Sequence, residues 1–105
     1  MIRPEKVNVV LAELLDVGFS QITKMDVFGR GKQKGIRVGS VEYDELPKEM
    51  LMIRVNNEDK DEVIKIIMQN SRTGSKGTFG DGKIFVLPIK DSYRIRDGKS
   101  GEDVL

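Results

Sequence analysis

Between Thr73 and Val86 the chain reads Thr-Gly-Ser-Lys-Gly-Thr-Phe-Gly-Asp-Gly-Lys-Ile-Phe-Val, with four glycines and two lysines ahead of an apolar run. Glycine lets a backbone turn its N–H groups toward an anion, and lysine neutralises charge. This is the make-up of a loop that grips phosphate. Gly77 to Gly82-Lys83 has the spacing of a Walker A loop, but Ile84 stands where Ser or Thr would hold magnesium. A Walker loop also opens a helix, whereas Ile84-Phe85-Val86-Leu87-Pro88-Ile89 reads as a strand. An ordinary P-loop NTPase is therefore disfavoured, and a glycine-rich hairpin turn is the plain alternative.

Two further segments share this character. Gly29-Arg30-Gly31-Lys32-Gln33-Lys34-Gly35 is basic and glycine-bearing. In Arg94-Ile95-Arg96 a strand would point both guanidinium groups to one face, suited to polyphosphate or carboxylate. Each segment alone reads most simply as a solvated basic turn; the three together favour a site for nucleotide phosphate. Asp81, between two glycines, is either a magnesium ligand or general base, or the more common turn stabiliser.

Composition narrows the chemistry. The chain has 105 residues, 38% of them hydrophobic, which suits one compact domain, 1–105, with a modest core. Lys+Arg is 18 and Asp+Glu is 17, a net charge of +1, so neither nucleic acid nor anionic lipid is favoured as a partner. There is no Cys and no His. This excludes a hydrolytic triad and disfavours a dedicated zinc or iron site. No apolar run approaches a membrane span and no signal peptide is visible, so a cytoplasmic location is expected.

The elements that must hold these segments follow from periodicity. Val7, Val10, Leu11, Leu14 and Leu15 recur at helical spacing after Pro4 and before Gly18, predicting a helix over 4–17. Residues 19–28 and 49–55 read as strands, and the polar segment 29–46 between them as a long functional loop. Asn57 or Asp59 is placed to cap a second helix carrying Val63, Ile64, Ile66, Ile67 and Met68. A strand over 83–90 and a short strand and turn over 93–98 complete the chain. With Met1-Ile2-Arg3 as a strand stub, the order is βαββαβ, the α+β ferredoxin-like arrangement: an antiparallel sheet with both helices on one face and a truncated first strand.

Four signatures, in order, resemble a known family. They are Gly31-Lys32-Gln33-Lys34-Gly35; Leu46-Pro47-Lys48; Thr73-Gly74 with Gly80-Asp81-Gly82-Lys83-Ile84-Phe85-Val86; and Arg94-Ile95-Arg96-Asp97-Gly98. Over nearly its whole length the chain resembles the nitrogen regulatory proteins of the P-II family, whose patterns are G-R-Q-K-G, L-P-K, T-G-x-x-G-D-G-K-I-F-V and R-I-R-T-G. The resemblance implies a homotrimer with ATP or ADP between neighbouring subunits. Residues 31–46 correspond to the family's T-loop, which contacts partner proteins, 73–83 to its B-loop and 94–98 to its C-loop. It also implies roles: Gly31, Lys32, Gly80, Asp81, Gly82 and Lys83 on the nucleotide, with Arg94 and Arg96 reaching it from another subunit and Thr23 near the base. Gln33 would touch both magnesium and 2-oxoglutarate, and Lys48 would pair with a 2-oxoglutarate carboxylate.

The departures are specific. Lys32 replaces Arg, exchanging a two-pronged phosphate contact for a point charge. Met52 replaces a Glu. Tyr43 lies near a tyrosine that some relatives uridylylate, but the surrounding Y-R-G-A-E-Y pattern is absent and modification is not expected. A short T-loop with a long B-loop is most similar to the branch associated with nitrogenase, whose members inhibit dinitrogenase and work with a second P-II-like subunit. The function implied is a regulator of nitrogenase. An ammonium transporter or glutamine synthetase is the alternative target, and a small ATPase or phosphotransferase the alternative from another class.

Overall fold

The computed structural model describes residues 1–32 and 43–101. Pro4–Lys6 form one turn of 3₁₀ helix, with Pro4 at its start where no N–H is needed, and lead directly into α1, Val7–Asp16. Helix α1 ends as its sequence anticipates. Gly18, at φ +96°, donates its N–H to the Leu15 carbonyl at 3.0 Å. Phe19 donates to Leu14 at 2.8 Å, completing a Schellman stop. The second helix, α2, spans Lys60–Ser71 after a 3₁₀ turn over Asn57–Asp59. The expected side-chain cap is not formed by Asn57 or Asp59; the 3₁₀ turn, with Asp59 N–H on the Asn56 carbonyl at 2.9 Å, makes the entry instead.

The sheet departs further from expectation. Strand β1 is Thr23–Lys32 and β2 is Tyr43–Met52, paired antiparallel from Thr23↔Met52 to Lys32↔Tyr43. The expected loop 31–46 therefore begins and ends as strand, and its residues 33–42 lie outside the described ones. Cross-strand pairing has overridden the low strand propensity of Gly29, Gly31 and Pro47. The radius of gyration, 16.2 Å, exceeds the ~13 Å of a compact domain this size.

Ile2 forms antiparallel bridges with Glu49 of β2 and with Gly82. The bridges set Gly82, Ile2, β2 and β1 side by side, and among the described residues only β1 and β2 are regular strands. The strand expected over 83–90 is absent. Lys83 pairs with Met1, and no backbone hydrogen bond joins residues 84–90 to a neighbour among the described residues. Without a ladder, an apolar run gains nothing from being extended.

Both helices cover one face. Val7, Val10 and Leu14 of α1 meet Val63 and Ile67 of α2 and Ile2, with Leu51, Ile53 and Val55 packed beneath. Each fully buried aliphatic side chain contributes about 1.5–3 kcal/mol. The alternation of β1 and β2 sends Thr23, Met25, Val27, Lys48, Met50 and Met52 to the other face. Met25 and Met52 are exposed there, as are Phe85, Leu87 and Ile89 on the unpaired segment. No described helix is long and apolar enough to cross a membrane.

Candidate functional site

The glycine-rich loop leaves the end of α2 at Arg72 and returns to the sheet at Gly82. Gly82 is required by both geometry and space. Its φ is +116°, and a Cβ there would overlap the Met1 carbonyl. That close approach aligns the loop's exit with the first three residues. Because Ile2 pairs with Gly82 on one side and Glu49 on the other, the antiparallel register sets Arg3 between Asp81 and Lys48.

Asp81 organises the loop. Its Oδ2 accepts the N–H of Thr73 at 3.0 Å and of Thr78 at 2.7 Å, and its Oδ1 accepts Arg3 Nε at 3.1 Å. Thr78 Oγ1 closes the turn on the Thr73 carbonyl at 3.1 Å. Partial burial pushes the Asp81 carboxyl up, but the bonds from Thr73, Thr78 and Arg3 outweigh it and hold the group well below the usual carboxylate range. The common reading of an Asp between glycines, a turn stabiliser, describes this carboxylate.

Lys48 enters from β2. It is 8% exposed, and its Nζ donates to the Gly80 carbonyl. Burial, then the like charge of Arg3, push the ammonium below the usual lysine range, while Asp81 and Glu5 pull it back. Arg3, which nothing in the sequence marks, also donates from Nη2 to the Phe79 carbonyl at 2.8 Å. Its partner lies 78 residues away, so no local pattern could have announced it.

Gly80, Asp81, Gly82, Lys83 and Lys48 are therefore brought together. Lys83 is fixed by its backbone, with its N–H on the Met1 carbonyl at 3.1 Å, and is exposed. Together with Lys76 and Arg72 it lines a groove of about 830 Å³ whose floor includes Ile67, Met68 and Phe85. Thr23 is exposed at the start of β1, opposite Met52. Gly31 and Lys32 end β1, facing Asp44 and Tyr43 in the ladder. Gln33 lies outside the described residues.

Arg94 and Arg96 are not on one face of a strand. Residues 95–97 form a turn, closed by the Arg94 N–H on the Lys99 carbonyl at 2.8 Å and the bridge Tyr93↔Ser100. Arg94 grips Asp97 through Nη2 at 2.8 Å and Nε at 3.1 Å, and Arg96 approaches the same carboxylate at 3.7 Å. The Arg94 guanidinium and the Lys99 amide hold the Asp97 carboxyl below its usual range. Asp97 fixes a turn that a strand pattern of alternating residues does not foresee. Among the described residues neither arginine bonds to the glycine-rich loop.

The buried ammonium of Lys48, the Arg3 guanidinium and the exposed Lys83 place positive charge at the glycine-rich loop. Among the described residues no cluster of three or more acidic side chains offers a metal site of its own, so a magnesium ion would arrive with phosphate oxygens.

Comparison with known proteins shows the family. The family described as Nitrogen regulatory protein P-II matches residues 1–99. The "Nitrogen fixation nifHD1 region GlnB-like protein 1" of Methanosarcina barkeri is 50% identical over 101 residues, 96% of this chain and 93% of that protein. The "Nitrogen fixation nifHD region GlnB-like protein 1" of Methanothermococcus thermolithotrophicus is 46% identical over the same shares. A "Nitrogen fixation nifHD region GlnB-like protein 2" from Methanobacterium ivanovii is 40% identical over 100% of this chain and 94% of its own. The chain belongs to the nitrogen regulatory protein P-II family.

Proposed function

We propose that this chain senses nitrogen status by binding ATP or ADP together with 2-oxoglutarate, and controls a target protein by direct contact through segment 31–46. The observation that carries this reading is the Lys48–Gly80 contact. It joins the base of the hairpin that bears segment 31–46 to the loop suited to phosphate. In this reading the glycine-rich loop and Lys83 hold phosphates, Lys48 and Gln33 hold the dicarboxylate, and magnesium bridges Gln33 to the phosphate oxygens. Arg94 and Arg96 reach the nucleotide from a neighbouring subunit of a homotrimer, which requires them to share or leave Asp97. The apolar residues left exposed on the open sheet face and over 85–89 supply a surface for that assembly.

Nitrogenase is the preferred target, because the relatives' names tie them to the nifHD region. An ammonium transporter is the second reading. An ATPase or phosphotransferase is less well supported: Asp81, the one acid in the loop, is tied down by three donors rather than free to act as a base. The test is retention of dinitrogenase on the immobilised protein with ATP, with and without 2-oxoglutarate. Capture that 2-oxoglutarate reverses supports the reading; capture of neither dinitrogenase nor an ammonium transporter under any ligand condition overturns it.

A further inference from the structure

The glycine-rich loop is longer than the family pattern. Five residues, Ser75 to Phe79, stand between Gly74 and Gly80, where T-G-x-x-G-D-G-K has two. Lys76, Gly77, Thr78 and Phe79 of this stretch line the groove of about 830 Å³. Gly77 and Thr78 serve the turn itself: Gly77 has φ +79°, and Thr78 bonds to Asp81 and to the Thr73 carbonyl. The side chains of Lys76 and Phe79 have no such duty. Lys76 is exposed and makes no ion pair among the described residues. The Phe79 ring is exposed, although Arg3 holds its carbonyl.

The free charge lining the groove has one sign. Arg72, Lys76 and Lys83 are cations, and the carboxylate beside them, Asp81, is taken up by Arg3, Thr73 and Thr78. Arg72 directly follows α2, where a cation complements the carbonyl end of the helix; that effect fades within the last turn and does not account for Lys76. Met68 and Phe85 expose apolar surface in the same groove. Helix α2 also ends uncapped. Arg72 is extended, and among the described residues no backbone N–H beyond the helix donates to its last carbonyls. Cations, apolar floor and carbonyls lacking donors complement an acidic peptide with apolar side chains, which brings the N–H groups that a small free anion does not.

We propose that this groove docks an acidic, apolar-bearing segment of the regulated protein, as a contact separate from segment 31–46. Lys76 supplies the charge, and Phe79 with Met68 and Phe85 the apolar seat. That the segment belongs to the regulated protein rests on the function proposed above; the preference of the groove for acidic peptide does not.

Two measurements on the full chain keep these apart. The first is fluorescence anisotropy with a labelled peptide, Glu-Leu-Asp-Phe-Glu-Leu, and its counterpart with Lys at each acid. The acidic peptide should bind the wild type, more weakly as salt rises. Lys76→Glu and Phe79→Ser should each weaken it at least about fivefold. Lys90→Glu, an exposed charge reversal outside the groove, should bind as the wild type does, and thermal unfolding checks that all three variants fold. Equal binding of the two peptides, no binding of the acidic one at about millimolar protein, wild-type affinity in both groove variants, or an equal loss in Lys90→Glu overturns the groove. So does a loss of ATP affinity in Lys76→Glu as large as that in Lys83→Ala, which places Lys76 in the phosphate site. A changed mass of the Lys76→Glu assembly in light scattering makes the occupant a second copy of this chain and overturns the proposal too. The second measurement is retention of dinitrogenase on the immobilised protein with ATP and no 2-oxoglutarate. Weaker retention by Lys76→Glu is expected, and retention equal to the wild type overturns the regulated protein as occupant. Retention of neither dinitrogenase nor an ammonium transporter by the wild type overturns the proposed function, while the peptide result still decides the groove.

Discussion

Arg3 and Asp81, 78 residues apart, face each other across the bridge between Ile2 and Gly82, with Nε 3.1 Å from Oδ1. Both side chains are largely shielded from water, at 17% and 16% exposure. The pair pins the exit of the glycine-rich loop to the first residues of the chain.

That pinning has a pH signature. The Asp81 carboxyl lies well below its ordinary 3.8 in the folded protein, so the folded state holds its proton more weakly than the unfolded state. The stabilisation is fully present above the unfolded value and is lost as pH falls toward the depressed folded one. Asp81→Asn removes this dependence. Its stability should fall less steeply than that of the wild type on acidification below about pH 4, the usual carboxylate range, as measured by urea unfolding along a pH series.

Lys83→Ala should leave the fold intact, because the side chain is exposed while the backbone does the pairing. Losing a charge-assisted contact to phosphate costs about 1.5–3 kcal/mol, roughly a tenfold to hundredfold loss of ATP affinity. Calorimetry checks this, and unchanged affinity removes Lys83 from the site.

Lys48→Ala should abolish 2-oxoglutarate binding while sparing much of the ATP affinity. The variant is then a regulator locked on its target. Retention of the target on the immobilised variant, unaltered by 2-oxoglutarate, is the expected readout; reversal as in the wild type counts against the assignment.

Gly82→Ala places a Cβ against the Met1 carbonyl at a φ of +116°. Such a backbone conformation costs a non-glycine residue on the order of 1–3 kcal/mol, and relief of the overlap must part Met1 from Lys83. Thermal unfolding should show the loss, and Gly98→Ala, where a Cβ meets nothing within 4 Å, should show a smaller one.

The proposed trimer is tested by light scattering. Leu87→Asp, at a residue 77% exposed in the single chain, should leave the helices folded and dissociate the assembly. A wild-type protein of monomer mass counts against the proposed cleft between subunits.

Local rules made much of this protein legible in its residues. The spacing of Val7, Val10 and Leu14, the start at Pro4 and the Schellman stop at Gly18 act within a few residues of each other, so α1 needed no wider context. The same holds for the buried stripe Val63, Ile67 and Ser71 of α2, and for the glycines that give loop 73–83 its turns. Long-range pairing decided the rest. Gly29, Gly31 and Pro47 became strand because β1 and β2 supplied each other's hydrogen bonds, and residues 84–90 did not because they have no backbone hydrogen-bond partner among the described residues. Arg94 and Arg96 left their expected strand because Asp97 draws both into a turn. Arg3 became the centre of the site only when Ile2 was placed between Glu49 and Gly82. A charge gains its meaning from its neighbours in space, and those neighbours come from opposite ends of the chain.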